Sequence, residues 1–139
     1  ALRNRGIHVV IISAGVDLFV SAIASMLKVD DWAANGFSYD DEGFLLDDGV
    51  CRVPAWDKGE MIQKLIRIHG FDPSQVVSVG DSSMDLSMHV SGSRFIGFNP
   101  TREEAHSAFN SANVPVVPGP DLRDIWPILF EGEEFPEEL

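Results

Sequence analysis

The chain has 139 residues, enough for one domain with a hydrophobic core and too few for two domains of ordinary size. Its formal net charge of −12 repels nucleic-acid backbones and anionic membrane surfaces, and no apolar run approaches the roughly 18 residues of a membrane span. Cys51 is the single cysteine, which excludes an internal disulfide and fits a reducing compartment. We therefore expect a globular cytoplasmic protein with no nucleic-acid or membrane partner.

Short apolar runs and longer amphipathic segments alternate along the chain. The run from His8 to Ile12 is β-branched and predicts a buried strand. Phe19, Ile23 and Met26 then recur at helical spacing, which predicts an amphipathic helix over about 17–28. Further elements are predicted in this order: a hairpin over 37–46, a helix over 57–70 that opens with a capping box, a strand over 76–80, a helix over 83–90, a strand over 95–98, a helix over 101–112, a strand over 114–117 and a helix over 122–129.

This alternation predicts an α/β fold with a doubly wound, Rossmann-like parallel sheet and a hairpin insertion. Residues 131–139 contain five acids and predict a solvated acidic tail that follows a core of residues 1–130. Open α/β sheets build their ligand sites at the carboxyl ends of strands or the starts of helices. Three groups of polar residues occupy such positions.

The first group is Ser13, Ala14 and Gly15, directly after the first predicted strand. A small-residue turn from a strand into a helix offers backbone N–H groups, a hydroxyl and the positive end of a helix dipole, all of which suit phosphate. Any tight turn of this kind also favours small residues, so an ordinary turn is the alternative.

The second group is Lys58, which falls in the first turn of a predicted helix. Its charge there faces the positive end of the helix macrodipole, which is unfavourable unless an anion compensates it. Such a local conflict indicates a functional role. The alternative is an exposed lysine whose side chain extends into solvent.

The third group is Asp81 and Asp85, which follow a predicted buried strand. Two carboxylates four residues apart can converge on a hard cation such as Mg²⁺, with water and phosphate as its other ligands. The alternative is a helix N-cap for Asp85 and a turn residue for Asp81.

In this order, the three groups resemble the last three motifs of haloacid dehalogenase superfamily phosphatases, and of phosphoserine phosphatases in particular. IISAG resembles the strand that ends in the phosphate-binding serine of that family. AANGFSYDDEGFLLDDG resembles the segment before the catalytic lysine, and DKGE and GDSSMDLSM match in type and spacing. The resemblance covers roughly residues 2–130.

The resemblance implies that Ser13 and the amide of Ala14 bind phosphate, and that Lys58 neutralises charge on the nucleophile and the phosphoryl group. Asp81 is implied as a Mg²⁺ ligand, and Asp85 as a catalytic-site residue that supports the metal or Lys58. The implied reaction is Mg²⁺-dependent hydrolysis of a small phosphorylated metabolite through an aspartyl-phosphate.

The sequence departs from the family in two places. Met84 stands where an asparagine usually contributes to phosphate or substrate binding. The nucleophile motif D-x-D-x-T does not occur in the 139 residues, and the nearest segment, LLDDGV at 45–50, lacks the carboxylates two residues apart. In the family, the strand with that motif lies between the strands that end at Ser13 and Gly80. We therefore expect a divided sheet, completed by an N-terminal segment or a second chain.

Two further hypotheses stay open beside an enzyme whose nucleophile lies outside these residues. One is a non-catalytic phosphate-binding or regulatory module on the same scaffold. The other, more distant, is a flavodoxin-like domain, which would bind a flavin rather than Mg²⁺.

Overall fold

The computed structural model describes residues 1–137, which form an α/β fold as predicted. The α-helices in this range are short, and none of its helices is long and apolar enough to cross a membrane. The elements are β1 (Val10–Val16), α1 (Asp17–Leu27), β2 (Asp31–Tyr39), β3 (Leu45–Val50), α2 (Gly59–His69), β4 (Val77–Gly80), β5 (Arg94–Phe98), α3 (Glu103–Ser111), β6 (Val116–Val117) and α4 (Trp126–Leu129), with 3-10 helices at Arg3–Arg5, Pro73–Gln75, Ser83–Met88 and Leu122–Ile125.

The strands form two three-stranded sheets. In the first, β1 pairs in parallel with β2, and β2 pairs with β3 as the predicted antiparallel hairpin. In the second, β4, β5 and β6 are all parallel. The segment LLDDGV, rejected as a nucleophile motif, forms β3, whose residues are mostly exposed.

The two sheets are not hydrogen-bonded to each other, so the sheet is divided between β1 and β4, a division called the gap below. Each of these strands lies at an edge of its own sheet, and within residues 1–137 no strand pairs with the free edge of either. The sheets are nevertheless close, because Ile12 of β1 packs against the hydrophobic cluster that contains Ile62 and Phe95. The predicted division of the sheet between the strands that end near Ser13 and Gly80 is therefore confirmed.

The second sheet carries the best-packed part of the core. Phe95, Ile96 and Phe109 are almost completely buried. The ring of Phe109 lies over the backbone of Gly97, where an added Cβ would come within 2.5 Å of the ring. Glycine is thus required there for close packing of α3 on β5.

The first sheet is less well covered than the sequence predicted. Every residue of β1 keeps part of its surface exposed, although its apolar run predicted a buried strand. Helix α1 packs on the sheet through Val20 and Ala24, whereas Phe19 and Met26 on its predicted apolar face are 73% and 81% exposed. The periodicity located the helix correctly, but residues 1–137 do not supply the surface that this face would bury.

Several boundaries differ from the prediction. Strand β1 continues through the predicted turn at Ser13 to Val16, with an irregularity in its register after Ile12. The predicted helix over 83–90 is a 3-10 helix, Ser83–Met88. The predicted capping box at the start of α2 is only half formed, since the Asp57 carboxylate accepts from the N–H of Glu60 at 3.3 Å and the reciprocal bond is not made.

Part of the predicted acidic tail is packed rather than solvated. The ring of Phe135 lies edge-on to Trp126 at 5.2 Å, and Glu133 forms an ion pair with Arg5. The guanidinium of Arg5 also lies 4.6 Å from the ring of Phe130. The charge of this segment predicted a tail surrounded by solvent. The aromatic side chain of Phe135 within it makes an apolar contact instead. Residues 138–139 of the tail lie outside the described residues.

The unpaired edges of β1 and β4 predict that the 139-residue chain by itself will self-associate or stay partly unfolded. Backbone groups that are left dry and unpaired cost about 1–3 kcal/mol each, so a few are comparable with the whole stability of a domain. Size-exclusion chromatography over a dilution series and thermal unfolding test this. A monomer with one cooperative transition would contradict it.

Candidate active site

The candidate site lies at the carboxyl ends of β1 and β4, on both sides of the gap. Ser13 is half-buried near the end of β1, and its hydroxyl oxygen accepts a hydrogen bond from the N–H of Gly15 at 3.0 Å. Asp81 follows β4 directly. Parallel strands present their ligand sites at this edge. Ser13 and Asp81 thus lie at the carboxyl ends of the edge strands of two different sheets.

A buried ion pair joins Lys58 to Asp85. The Nζ of Lys58 lies 2.5 Å from Oδ1 of Asp85, and the two side chains are only 16% and 5% exposed. The exposed-lysine alternative is therefore wrong. The carboxylate of Asp85 also relieves the conflict between Lys58 and the helix dipole, because it supplies the compensating anion within the chain. An ammonium has three protons to donate, so this bond leaves others for a ligand.

The second oxygen of Asp85 is also occupied. Its Oδ2 accepts hydrogen bonds from the backbone N–H groups of Asp81 and Ser82, each at 3.0 Å. The N-cap of the 3-10 helix is Ser82 rather than Asp85, and Asp85, as the third residue of the helix, accepts from the backbone of that cap while it supports Lys58. Of the two supporting roles that the resemblance implied, these contacts favour support of Lys58 over ligation of a metal.

These contacts keep Asp85 ionised. Burial alone raises the pKa of its carboxyl group, but the hydrogen bonds from Lys58 and from two backbone amides together outweigh burial. The net result is a pKa below the ordinary value for aspartate. The site therefore contains a fixed negative charge that neutralises one buried positive charge.

Two glycines allow this arrangement. A Cβ on Gly80 would lie 2.4 Å from the Cβ of Asp85, and a Cβ on Gly59 would lie 2.1 Å from the carbonyl oxygen of Ser87. The first glycine lets Asp85 fold back over the end of β4, and the second brings the start of α2 against the 3-10 helix. The hydroxyl of Ser87 accepts from the N–H of Lys58 at 2.9 Å and completes the contact.

Asp81 is the residue best suited to hold a divalent cation. It is exposed at the end of β4, and none of the hydrogen bonds in residues 1–137 uses its carboxylate. Within this range no three His, Cys, Asp or Glu side chains converge on one point. Mg²⁺ is often held by only one or two carboxylates together with water and substrate phosphate, so Asp81 fits such a site as one ligand.

Some of the contacts that hold the site together were not identified from the sequence. Asn35 of β2 makes four hydrogen bonds, to Ala14, Arg52 and Val53. Arg52 also pairs with Asp17 at the start of α1, at 3.2 Å. Within residues 1–137, no hydrogen bond joins Ser13 to Lys58 or Asp85. The sequence could have indicated a structural role for Asn35, because a side-chain amide between Ala34 and Gly36 in an apolar strand requires hydrogen-bond partners.

The fold and the site together define an α/β protein with a mostly buried Lys58–Asp85 ion pair next to the end of β4 and a half-buried serine near the end of β1. A model of the family described as HAD, haloacid dehalogenase-like hydrolase, matches residues 1–89. The chain therefore belongs to the haloacid dehalogenase-like hydrolase family, and the predicted resemblance is confirmed.

Among individual proteins, this chain is similar to phosphoserine phosphatases. That of Methanocaldococcus jannaschii is 35% identical over 98 residues, which cover 70% of this chain and 46% of the relative. The solved phospho-aspartyl intermediate analogue of phosphoserine phosphatase is 30% identical, with a TM-score of 0.75 over 92% of this chain and 59% of that one. A probable phosphoserine phosphatase from Vibrio cholerae, 20% identical with a TM-score of 0.72, shares the fold and covers 92% of this chain and 38% of that one. The chain thus spans about half the length of these relatives.

Replacement of Asp85 by asparagine should destabilise the complete protein, by which we mean the chain together with whatever strand occupies the gap. However the new amide is turned, its NH₂ group faces either Lys58 or the two backbone N–H groups. We expect a loss of about 1.5–3 kcal/mol in the free energy of unfolding at pH 7, measured by urea denaturation.

The difference in the free energy of unfolding between wild type and D85N should depend on pH. Because the pKa of Asp85 is lowered by folding, its stabilisation is present above the ordinary pKa and is lost as the pH falls through the lowered value. The difference between wild type and D85N should therefore shrink below about pH 4. D41N, in the exposed hairpin turn, makes the same charge change and should have little effect. A pH-independent difference for D85N would contradict the assignment.

Proposed function

We propose that this chain forms the larger part of a Mg²⁺-dependent phosphatase that hydrolyses a small phosphorylated metabolite through an aspartyl-phosphate. The observation that carries the proposal is the buried pair of Lys58 and Asp85 at 2.5 Å, on one side of a strand gap that has Ser13 on its other side. A mostly buried cation and a serine hydroxyl at the carboxyl ends of strands suit a phosphoryl group. Membership of the hydrolase family supports this reading.

The nucleophile belongs, in this proposal, to a strand that fills the gap. A strand parallel to β1 and β4 would end at the same edge as both, so a residue at its carboxyl end would lie between Ser13 and Lys58. The strand comes from an N-terminal segment or from a second chain. Pairing would satisfy the free backbone groups of both edges, which gives the association a physical cause.

The proposed reaction has two displacements. A carboxylate oxygen of the nucleophilic aspartate attacks phosphorus, the bond from phosphorus to the ester oxygen breaks, and the departing oxygen takes a proton from water to leave as the alcohol. A second water then attacks phosphorus and gives a proton back to solvent, the bond from phosphorus to the aspartate oxygen breaks, and inorganic phosphate and the free carboxylate result. Splitting the hydrolysis in this way replaces one difficult step with two easier ones.

The residues of this chain act on the charge of the phosphoryl group. Lys58 offers the ammonium protons that Asp85 leaves free, and Ser13 offers its hydroxyl proton with the backbone N–H of Ala14 beside it. Asp85 holds Lys58 in place. Asp81 would hold Mg²⁺, which when bound supplies further positive charge beside the phosphoryl oxygens.

The substrate class that we propose is broader than the phosphoserine in the names of the relatives. Met84 is 56% exposed one residue before Asp85, and its thioether cannot make the hydrogen bonds of the asparagine usual there in the family. We therefore assign the chain a small phosphorylated metabolite without extending phosphoserine to it. The single exposed Cys51 fits a cytoplasmic location.

A non-catalytic phosphate-binding module is the second candidate. Its supporting observation is the sequence itself, in which no two aspartates lie two residues apart anywhere in the 139 residues. Such a module would use Ser13 and Lys58 to bind phosphate without turnover, and the strand in its gap would carry no nucleophile.

The proposal predicts that the 139-residue chain alone will not hydrolyse p-nitrophenyl phosphate, because it lacks the group for the covalent step. The complete protein should hydrolyse it with Mg²⁺ and lose activity in D81N and on chelation. D40N, in the exposed hairpin turn, provides a control for loss of a carboxylate away from the site.

Two results would contradict the proposal. Mg²⁺-dependent turnover by the 139-residue chain that disappears in D81N would show that the nucleophile lies within it. A complete protein that binds phosphate but shows no turnover would favour the non-catalytic module.

A further inference from the structure

Asn35 of β2 uses every hydrogen-bonding position of its side chain. Its Nδ2 donates to the carbonyl oxygens of Ala14 and Val53, both at 2.9 Å. Its Oδ1 accepts from the N–H groups of Arg52 and Val53, both at 2.8 Å. The orientation of the amide is fixed by these partners, since a reversed amide would place donors against donors and acceptors against acceptors.

The bond to Ala14 acts on Ser13 through one peptide unit. The carbonyl of Ala14 and the N–H of Gly15 belong to the same planar trans peptide, so they point in opposite directions. Asn35 holds the carbonyl end, and the N–H end donates to the hydroxyl oxygen of Ser13 at 3.0 Å. The direction of this peptide therefore determines which lone pair of Ser13 is occupied.

This geometry leaves the hydroxyl proton of Ser13 available. The oxygen accepts from Gly15, and within residues 1–137 the hydroxyl makes no donated hydrogen bond. A phosphate oxygen is an acceptor, so it requires a donor in this position. The space is limited as well, because a Cβ on Gly15 would lie 3.1 Å from the Ser13 oxygen.

The other three bonds of Asn35 fix the backbone that follows β3. They join its side-chain amide to Arg52 and Val53, and Val53 is completely buried. These bonds hold the amide of Asn35 in place, so its bond to Ala14 has a fixed direction.

We propose that Asn35 is a positioning residue for phosphate, which orients the Ser13 hydroxyl through the peptide between Ala14 and Gly15. This inference rests on the proposed phosphate site and deepens it. Asn35 does not touch the phosphoryl group, so its effect on phosphate binding passes through Ser13.

A substitution that changes only the NH₂ group of the Asn35 side chain tests this role. In N35D the carboxylate still accepts from Arg52 and Val53, but it presents an oxygen rather than an NH₂ group to two carbonyl oxygens. Phosphate affinity of the complete protein, measured by calorimetry with inorganic phosphate, should fall at least about tenfold, the effect of about 1.4 kcal/mol. Acidification toward pH 5 should restore part of it, since a protonated carboxyl group can donate one bond.

Two controls separate positioning from general stability. N110D makes the same change on the exposed side of α3 and should leave phosphate affinity and its pH profile as in the wild type. V117A removes buried volume from β6 in the second sheet and should lower stability without lowering phosphate affinity. If N35D does not fold, N35S removes the bond to Ala14 without adding a charge.

A double-mutant cycle with S13A gives the decisive result. If Asn35 acts through Ser13, the S13A/N35D protein should bind phosphate about as weakly as S13A, because the hydroxyl is already absent. Additive losses, or unchanged affinity in N35D and N35S, would overturn the role of Asn35 alone. Absence of phosphate binding in the unsubstituted complete protein would overturn the proposed function and this inference with it.

Discussion

The ion pair between Lys58 and Asp85 is the interaction on which the candidate site depends. Two charges removed from water are costly, and such a pair is retained only with good geometry and with the remaining hydrogen bonds satisfied. Asp85 meets this condition through two backbone N–H groups, and Gly80 gives its side chain room to approach. The pair therefore joins the end of β4 to the start of α2. It also holds the ammonium group of Lys58 in one position at the site, whereas a solvent-exposed lysine would not be fixed there.

The divided sheet is the second constraint, and it bears on the same site. The half made of β4, β5 and β6 has a buried core, whereas β1 and α1 leave apolar surface exposed. Because Ser13 and the Lys58–Asp85 pair lie at the strand ends on either side of the gap, a strand that completed the sheet would also complete the site. Folding and activity would then share one requirement, which links the stability of the protein to its function.

Much of the fold was predictable because local signals agreed with one another. Apolar runs located β4 and β5, and the turn residues between Tyr39 and Phe44 located the hairpin. The sequence implied that Asp85 supports either the metal or Lys58, and it could not decide between them, because the contact depends on how the 3-10 helix packs against the end of β4 and the start of α2. It also did not show the role of Asn35, whose partners come from three separate segments. The helical period of α1 identified an apolar face but not whether anything covers it.

The central claim is that Lys58 is a buried, Asp85-held cation that binds phosphate. The most direct measurement compares the affinity of the complete protein for phosphate and vanadate in K58A and in K64A, which removes an exposed lysine of α2 and the same charge. The account predicts that K58A weakens binding by more than about tenfold, because a charge-assisted contact of about 1.5–3 kcal/mol is lost, and that K64A leaves it unchanged. Equal affinities in the two variants would contradict it.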